Sequence, residues 1–374
     1  MPTSGIKIGR IFGIPIYLHS SWFIIFALIT YSLATQFANE HEQWSELQHW
    51  AVGVLTSLLF FGSVLFHELA HSVVALRYKI PVVSITLFVF GGVARIGREA
   101  ASARQEFNIA VAGPVSSYVL AGGFWLLTHI FPSSEMVGAL AGWLSWINFM
   151  LATFNLVPGF PLDGGRIFRA IIWGATGDFT RATRIAAGAG KLIAYGMIIY
   201  GGWRALNGNL VGGLWLAFIG WFLLTAAQES VAQVEMRGAL AGLRADDIML
   251  SELPTVERSI TLEDYMQELL HTGRRCHLVV ADGQLVGLMS IHTLNSVPRE
   301  EWATTSVQAA MVPRDKVIWS RPDEPALALL ERMMNEDVNQ MPVVEDGRVV
   351  GLVTRDSLLR MIQTRTELGQ LAKH

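Results

Sequence analysis

The chain has 374 residues, of which 52% are hydrophobic and only 16% are charged. A soluble protein usually carries about a quarter of its residues as Asp, Glu, Lys or Arg, so this composition excludes an ordinary soluble enzyme. The formal net charge of -3 gives no reason to expect nucleic-acid binding. The single cysteine, Cys276, excludes an internal disulfide framework and a thiolate metal cluster.

The shortage of charged residues is confined to the N-terminal part of the chain. Residues 1–228 contain 22 of the 59 charged side chains, whereas the shorter remainder contains 37 and has the composition of a soluble domain. We therefore predict a membrane domain over 1–228, a linker over 229–243, and two further modules over 244–300 and 301–367.

Uncharged stretches predict the membrane helices. Five stretches contain no Asp, Glu, Lys or Arg, namely 11–39, 47–67, 107–134, 136–162 and 205–228. Each exceeds the roughly 20 residues that a helix needs to cross the hydrocarbon core. A sixth candidate, at about 185–204, is interrupted by Lys191 and rich in glycine. The predicted fold is a polytopic α-helical membrane domain with about six transmembrane helices.

Basic residues predict the orientation of this domain. Twelve of its thirteen lysines and arginines belong to the N-terminus and alternate connections: Lys7, Arg10, Arg77, Lys79, Arg95, Arg98, Arg104, Arg166, Arg169, Arg181, Arg184 and Lys191. The other connections contain only Arg204. Because basic residues accumulate on cytoplasmic loops, we expect a multi-pass protein of the cell (inner) membrane with both termini in the cytoplasm.

The second predicted span contains the sequence His-Glu-Leu-Ala-His at positions 67–71. Ionisable groups inside an apolar helix are costly and usually mark a functional site. His67 and His71 are four residues apart, so they lie on one helix face and can bind one metal ion. Glu68 lies beside them, where it can accept a proton from an attacking water. The alternative is a polar helix face that contacts other helices or a water cavity.

A catalytic zinc site normally has three protein ligands, so a third is expected from another segment. Asp163 ends the fourth uncharged stretch, and the segment 158–165 around it has two prolines and three glycines. Such a segment would end a helix and let the backbone turn toward the site. The alternative is a loop in which Asp163 only caps a helix.

The two motifs together resemble the site-2 protease family, intramembrane zinc metalloproteases of the peptidase M50 type. The resemblance rests on His-Glu-x-x-His at 67–71 in a membrane span, followed by Asn-x-x-Pro-x-x-Pro-x-Asp-Gly at 155–164. It covers about residues 5–228 and implies cleavage of transmembrane or membrane-associated protein substrates, that is, regulated intramembrane proteolysis.

The resemblance also implies roles for individual residues. It implies one Zn²⁺ per chain, with His67, His71 and Asp163 as ligands. Glu68 would then be the catalytic carboxylate. Asn155 matches the asparagine of the family motif, and the resemblance implies that it helps to hold the substrate or the developing oxyanion.

Residues 80–94 are uncharged but too few to cross a membrane. Their β-branched residues and the pair Gly91-Gly92 favour strands and a turn, which predicts a small membrane-associated β-hairpin. The family resemblance implies that this hairpin can pair with an extended substrate segment. The alternative is a cytoplasmic loop without a substrate role. In the third span, Gly113 is predicted to allow close helix packing.

The C-terminal part contains an internal repeat. Residues 277–290 and 341–354 match at an offset of 64, and each reads as strand, Asp-Gly turn, strand. Short segments ending in methionine, 246–249 and 308–311, recur upstream at an offset of 62. Two similar αβ units are therefore expected to pack on each other. They resemble a tandem CBS pair (a Bateman module), so the predicted fold class includes an α/β tandem CBS domain.

In the CBS family, adenine nucleotides are held by a stretch in which a Gly is followed by a Thr or Ser and then by an Asp, whose hydroxyl and carboxylate reach the ribose. The second repeat has Gly351, Thr354 and Asp356, whereas the first has Ser290 but His292 in place of the acid. The resemblance therefore implies one site per chain for ATP or another adenine nucleotide. The alternatives are a CBS pair that only docks or forms a homodimer, and an Asp356 that caps the last helix.

Three functional hypotheses follow from the sequence. The leading one is an intramembrane zinc endopeptidase whose cytosolic CBS module senses adenine nucleotide. The second is a CBS-gated ion transporter or channel, which leaves Glu68 and the Asp163 motif without a purpose. The third is a membrane-anchored metallopeptidase that acts on soluble peptides at the cytoplasmic surface, with His67 outside the hydrocarbon.

Overall fold

The computed structural model describes residues 5–281 and 284–371. The chain forms two compact units, residues 1–232 and 233–374, and each is described separately below.

Seven helices lie within the described residues up to Leu240: α1 (Ser20–Glu40), α2 (Glu46–Arg77), α3 (Ala103–Ile130), α4 (Glu135–Asn155), α5 (Asp163–Thr176), α6 (Phe179–Leu206) and α7 (Leu210–Leu240), of which the last crosses from the first unit into the second. All except α5 are long and apolar enough to cross a membrane. The predicted polytopic domain is thereby confirmed, including the interrupted candidate at 185–204. Helix α7 continues to Leu240, so most of the segment predicted as a linker is helical.

A four-stranded sheet accompanies the helices. Its strands are β1 (Gly5–Ile11), β2 (Ile14–His19), β3 (Val82–Phe88) and β4 (Gly91–Ile96), in that spatial order. The predicted hairpin is present as β3 and β4. Strands β1 and β2 were not predicted because residues 11–39 form one uncharged run, yet α1 begins only at Ser20. Phe12 and Gly13, with φ angles of 51° and 81°, make the turn between them.

Contacts between connections show which ends of the helices lie together. Strand β2, before α1, pairs in parallel with β3, after α2. On the connection between α1 and α2, Gln43 and Trp44 donate hydrogen bonds to Glu135 at the start of α4, at 2.7 and 3.2 Å. The segments before α1 and after α2 therefore lie at one end of these helices, and the segments after α1 and after α3 lie at the other, as alternating crossings by α1 to α4 require.

The second unit contains two similar sets of elements. The helices are α8 (Ala245–Ile248), α9 (Leu262–Thr272), α10 (Ile291–Asn295), α11 (Val307–Ala310), α12 (Ala326–Asn335) and α13 (Arg355–Leu371). The strands are β5 (Thr255–Val256), β6 (Cys276–Ala281), β7 (Gln284–Ser290), β8 (Val312–Pro313), β9 (Gln340–Glu345) and β10 (Arg348–Thr354). The predicted strand–turn–strand repeat is present as β6–β7 and β9–β10.

The structure describes one of the two predicted Asp-Gly turns. Asp346 and Gly347 have φ angles of 48° and 81°, as a type I′ hairpin turn requires. The corresponding turn of the first repeat, at 282–283, lies outside the described residues.

The two repeats interlock through their recurring methionines. A Cβ atom on Gly351 of the second repeat would lie 2.6 Å from Cγ of Met249 in the first repeat. Conversely, a Cβ atom on Gly287 of the first repeat would lie 3.0 Å from Cγ of Met311. Each methionine thus fills the space left by a glycine in the other repeat, which explains why both residue types recur.

Candidate metal centre

The two histidines of α2 are buried and face one side of the helix. His67 and His71 are each only 4% exposed. Ser45 and Gln48 form a capping box that starts this helix, and no proline interrupts its 32 residues. It continues for ten residues after His67, to Arg77, which corresponds to about 15 Å along the helix axis.

Asp163 reaches this site because two glycines follow it. Helix α4 ends at Asn155, and α5 begins at Asp163. A Cβ atom on Gly165 would lie 2.7 Å from the carbonyl oxygen of Gly159, so only glycine allows the start of α5 to pack against the preceding loop. The N-cap of α5 is Leu162. Asp163 is the first residue of the helix and is therefore not its cap, so the alternative interpretation is wrong.

His67, His71 and Asp163 converge on one point. Oδ2 of Asp163 lies 3.1 Å from Nε2 of each histidine, and the two Nε2 atoms are 3.2 Å apart. Tetrahedral zinc with bonds of about 2.0–2.2 Å places its ligand atoms roughly 3.3 Å apart. Imidazole nitrogen and carboxylate oxygen are also suitable zinc donors. The three side chains therefore fit a zinc ion.

Helix α3 orients both imidazoles through their other nitrogens. Nδ1 of His71 lies 2.7 Å from the carbonyl oxygen of Ile109, and Nδ1 of His67 lies 2.9 Å from Oγ of Ser117. A carbonyl can only accept, so Nδ1 of His71 carries the hydrogen and Nε2 keeps its lone pair for a metal. Sequence reasoning missed both partners, because any residue has a carbonyl and Ser117 belongs to no recognised motif.

Gly113 of α3 has a second role beside the helix packing predicted for it. A Cβ atom there would lie 2.6 Å from Nε2 of His67. It would also collide with the ring of His71. The glycine therefore keeps open the space that a metal ion would need.

Strand β4 holds the carboxylate of Glu68. Oε2 of Glu68 accepts a hydrogen bond from the backbone N–H of Ala94, at 3.1 Å. A Cβ atom on Gly92 of the same strand would lie 2.6 Å from Cγ of Glu68. The sheet and the predicted catalytic residue thus contact each other directly, and β4 is an edge strand within the described part of the sheet.

Asn155 is the last residue of α4, at the start of the loop that ends at Asp163. Its side chain is partly exposed. Within the described residues, no protein group accepts from or donates to its amide, so the amide is available to another molecule.

The second unit contains a cavity of about 880 Å³ lined by both repeats. The predicted nucleotide residues Thr354 and Asp356 line it, as do Ser290 and His292 of the first repeat. Four arginines also line it: Arg274, Arg275, Arg355 and Arg360.

Two of the predicted nucleotide residues have structural contacts as well. Oγ1 of Thr354 accepts the N–H of Ser357 at 3.0 Å and thus caps α13. Asp356 lies in the first turn of that helix and is exposed, so it is not the cap. Gly351 is covered by Met249 and serves the packing of the two repeats.

Known proteins resemble both parts of the chain. The family described as Peptidase family M50 matches residues 55–134 and 131–197, and the CBS domain matches residues 309–364. Rip3 of Mycobacterium tuberculosis, which bears a zinc-metalloprotease name, is 38% identical over 363 residues, covering 96% of this chain and 92% of its own. Zinc metalloprotease MJ0392 of Methanocaldococcus jannaschii is 30% identical over 355 residues, covering 95% of each chain.

Among solved structures, the site-2 protease from Methanocaldococcus jannaschii is 31% identical in sequence. It covers 61% of this chain and 95% of its own, with a TM-score of 0.42. An identity of 38% over nearly the whole chain establishes the family. The transporter or channel hypothesis is set aside, and the chain is a multi-pass membrane protein. It belongs to peptidase family M50 and is a zinc metalloprotease of the site-2 protease type that carries a CBS domain.

Proposed function

We propose that the chain is an intramembrane endopeptidase that cleaves transmembrane or membrane-associated proteins, with His67, His71 and Asp163 as its zinc ligands. The observation that carries the proposal is the convergence of three donor atoms at 3.1–3.2 Å from one another. When bound, zinc supplies Lewis-acid activation of water and of the scissile carbonyl.

Glu68 is proposed as the general base. One of its oxygens accepts the Ala94 N–H, which leaves the other free to take a proton from the attacking water. The same carboxyl group then returns this proton to the leaving amine. The free amide of Asn155 is proposed to donate a hydrogen bond to the substrate carbonyl as negative charge develops on its oxygen.

The depth of the histidines supports cleavage inside the bilayer. His67 lies about 15 Å along α2 from its end, or about half the 30 Å of the hydrocarbon core. A substrate peptide bond must be unwound to be attacked there, and the exposed edge of β4 could pair with such an extended segment. Twelve of the thirteen basic residues of the membrane domain lie at the N-terminus and on alternate connections, which supports a cytoplasmic location for both termini.

Mapping of the cleavage site tests this location. In proteoliposomes, the cut in a membrane-protein substrate should fall within or next to its transmembrane segment, and the corresponding soluble peptide should remain uncut. Efficient cleavage of soluble peptides alone would instead support the hypothesis of a peptidase acting at the cytoplasmic surface.

We further propose that the cavity of the second unit binds one adenine nucleotide. Thr354 and Asp356 would contact the ribose, and the four arginines would attract the phosphates. His292 replaces the second acid, so a single ribose site per chain is expected. Binding would then bias access to the protease site.

Calorimetry with ATP on the full chain tests the nucleotide site. We expect Asp356→Ala to weaken binding, whereas Glu336→Ala, which changes an exposed acid outside the cavity, should leave it unchanged. Equal binding by wild type and Asp356→Ala would contradict the assignment.

A further inference from the structure

A buried ion pair joins α5 to α3. Nε of Arg169 donates to Oε1 of Glu106 at 2.8 Å, and Nη2 contacts the same oxygen. The side chains of Arg169 and Glu106 are only 12% and 2% exposed. Charges buried in this way are costly unless their geometry is well defined.

The arginine has further partners on two other segments. Its guanidinium lies over the ring of Phe160, in the loop before α5, at 4.8 Å from the centroid. It also lies 4.6 Å from the ring centroid of Phe179 at the start of α6. Nη1 is 3.4 Å from Oγ1 of Thr183. One side chain therefore fixes α5 relative to α3, to the preceding loop and to α6.

The two helices that this pair joins both serve the metal centre. Asp163 precedes Arg169 by six residues on α5, about 9 Å along the axis. On α3, Glu106 is followed at helical spacing by Ile109 and Ser117, the partners of the two Nδ1 atoms. Where α5 lies relative to α3 thus decides where the Asp163 carboxylate lies relative to the oriented histidines.

We propose that Arg169 and Glu106 are positioning residues that hold Asp163 in ligating geometry. Within the described residues, neither side chain contacts the donor atoms of His67, His71 or Asp163. The pair therefore acts by fixing the position of α5, which carries Asp163. The planar guanidinium is needed because it donates to Glu106 and stacks on two rings at once, which a lysine ammonium cannot do. The inference depends on the proposal that Asp163 is a zinc ligand.

The test compares zinc affinity in the purified full chain, measured by competition with a chelator. We expect Arg169→Lys and Glu106→Gln to weaken zinc binding about 10- to 100-fold, as changes to outer partners of metal ligands usually do. In the cobalt-substituted protein, the visible absorption should change, because the Asp163 carboxylate shifts. Turnover should fall in kcat with little change in KM.

Thr30→Val is the matched control. It removes a buried hydrogen bond between α1 and α2, from Thr30 Oγ1 to Ser57 Oγ at 3.0 Å, away from α5. It should lower thermal stability but leave zinc affinity unchanged. If Glu106→Gln does not accumulate as folded protein, Arg169→Lys alone decides the outcome.

Asp163→Asn separates the two proposals. If it binds zinc as tightly as wild type does, the ligand assignment itself fails. If Asp163→Asn loses affinity while folded Arg169→Lys binds zinc within twofold of wild type, the positioning role is overturned and the ligand assignment stands.

Discussion

Gly113 lies where α3 passes the two histidines, and a Cβ atom there would be 2.6 Å from Nε2 of His67. We expect Gly113→Ala to lower zinc affinity by roughly 100-fold or more, a larger effect than that of changes to outer partners. Zinc content and affinity of the purified variant check this expectation.

Gly122→Ala on the same helix is the control, because no atom lies within 4 Å of its would-be Cβ. It should retain zinc. Loss of zinc in both variants would mean that α3 tolerates no such change for reasons unrelated to the metal centre.

Individual residues also show how far sequence reasoning reaches. His67, His71 and Asp163 could be predicted because ligation demands particular side chains, and the structure brings all three together. The Ile109 carbonyl could not be predicted, since its role depends only on where the backbone of α3 passes. The Glu106–Arg169 pair was not predicted either, because charged residues near the end of a membrane helix usually indicate only on which side of the membrane that end lies.

At the scale of elements, β4 positions the carboxylate of Glu68. A Cβ atom on Gly92 would lie 2.6 Å from Cγ of Glu68 and displace its side chain. We expect Gly92→Ala to lower kcat by about 10- to 100-fold, part of what a positioned acid–base group contributes. Zinc should stay bound.

Steady-state kinetics and metal analysis together check this. Gly62→Ala on α2, which has open space around it, should leave kcat unchanged. Wild-type kcat in Gly92→Ala would mean that β4 does not hold the base.

A buried thiol on strand β6 should make the stability of the second unit depend on pH. Burial raises the pKa of Cys276, at the start of β6, from 9.0 to about 12. The folded state alone therefore keeps this proton between pH 9 and 12, and the associated stability is present below pH 9 and lost as pH rises toward 12. Burial also raises the pKa of Tyr265, so both residues contribute.

Urea unfolding of the second unit, monitored by far-UV circular dichroism across this pH range, provides the measurement. The free energy of unfolding should fall with pH, and Cys276→Ala should reduce the slope without removing it. An unchanged slope would show that the thiol ionises alike in both states.

The six long helices could be predicted because each is both apolar enough and long enough to cross a membrane. Strand β2 was not predicted because its residues are as apolar as the helix that follows, and only Gly13 and Pro15 mark the difference. Helix α5 was not predicted because its start lies among the glycines that were expected to form a loop.

At the scale of the whole molecule, the orientation is testable because the chain has one cysteine. In a Cys276→Ser background, a cysteine at Asn207, between α6 and α7, should react with a membrane-impermeant maleimide in intact cells. A cysteine at Ala101, before α3, should react only after lysis. The reverse pattern would contradict the cytoplasmic assignment of both termini.

The central claim is that Glu68 acts as the base beside a zinc ion held by His67, His71 and Asp163. The most direct measurement determines zinc content and cleavage of a membrane-protein substrate for wild type and Glu68→Gln in parallel. We predict about one zinc per chain in both proteins, with cleavage in the wild type only. Cleavage by Glu68→Gln, or wild type that is active without zinc, would contradict it.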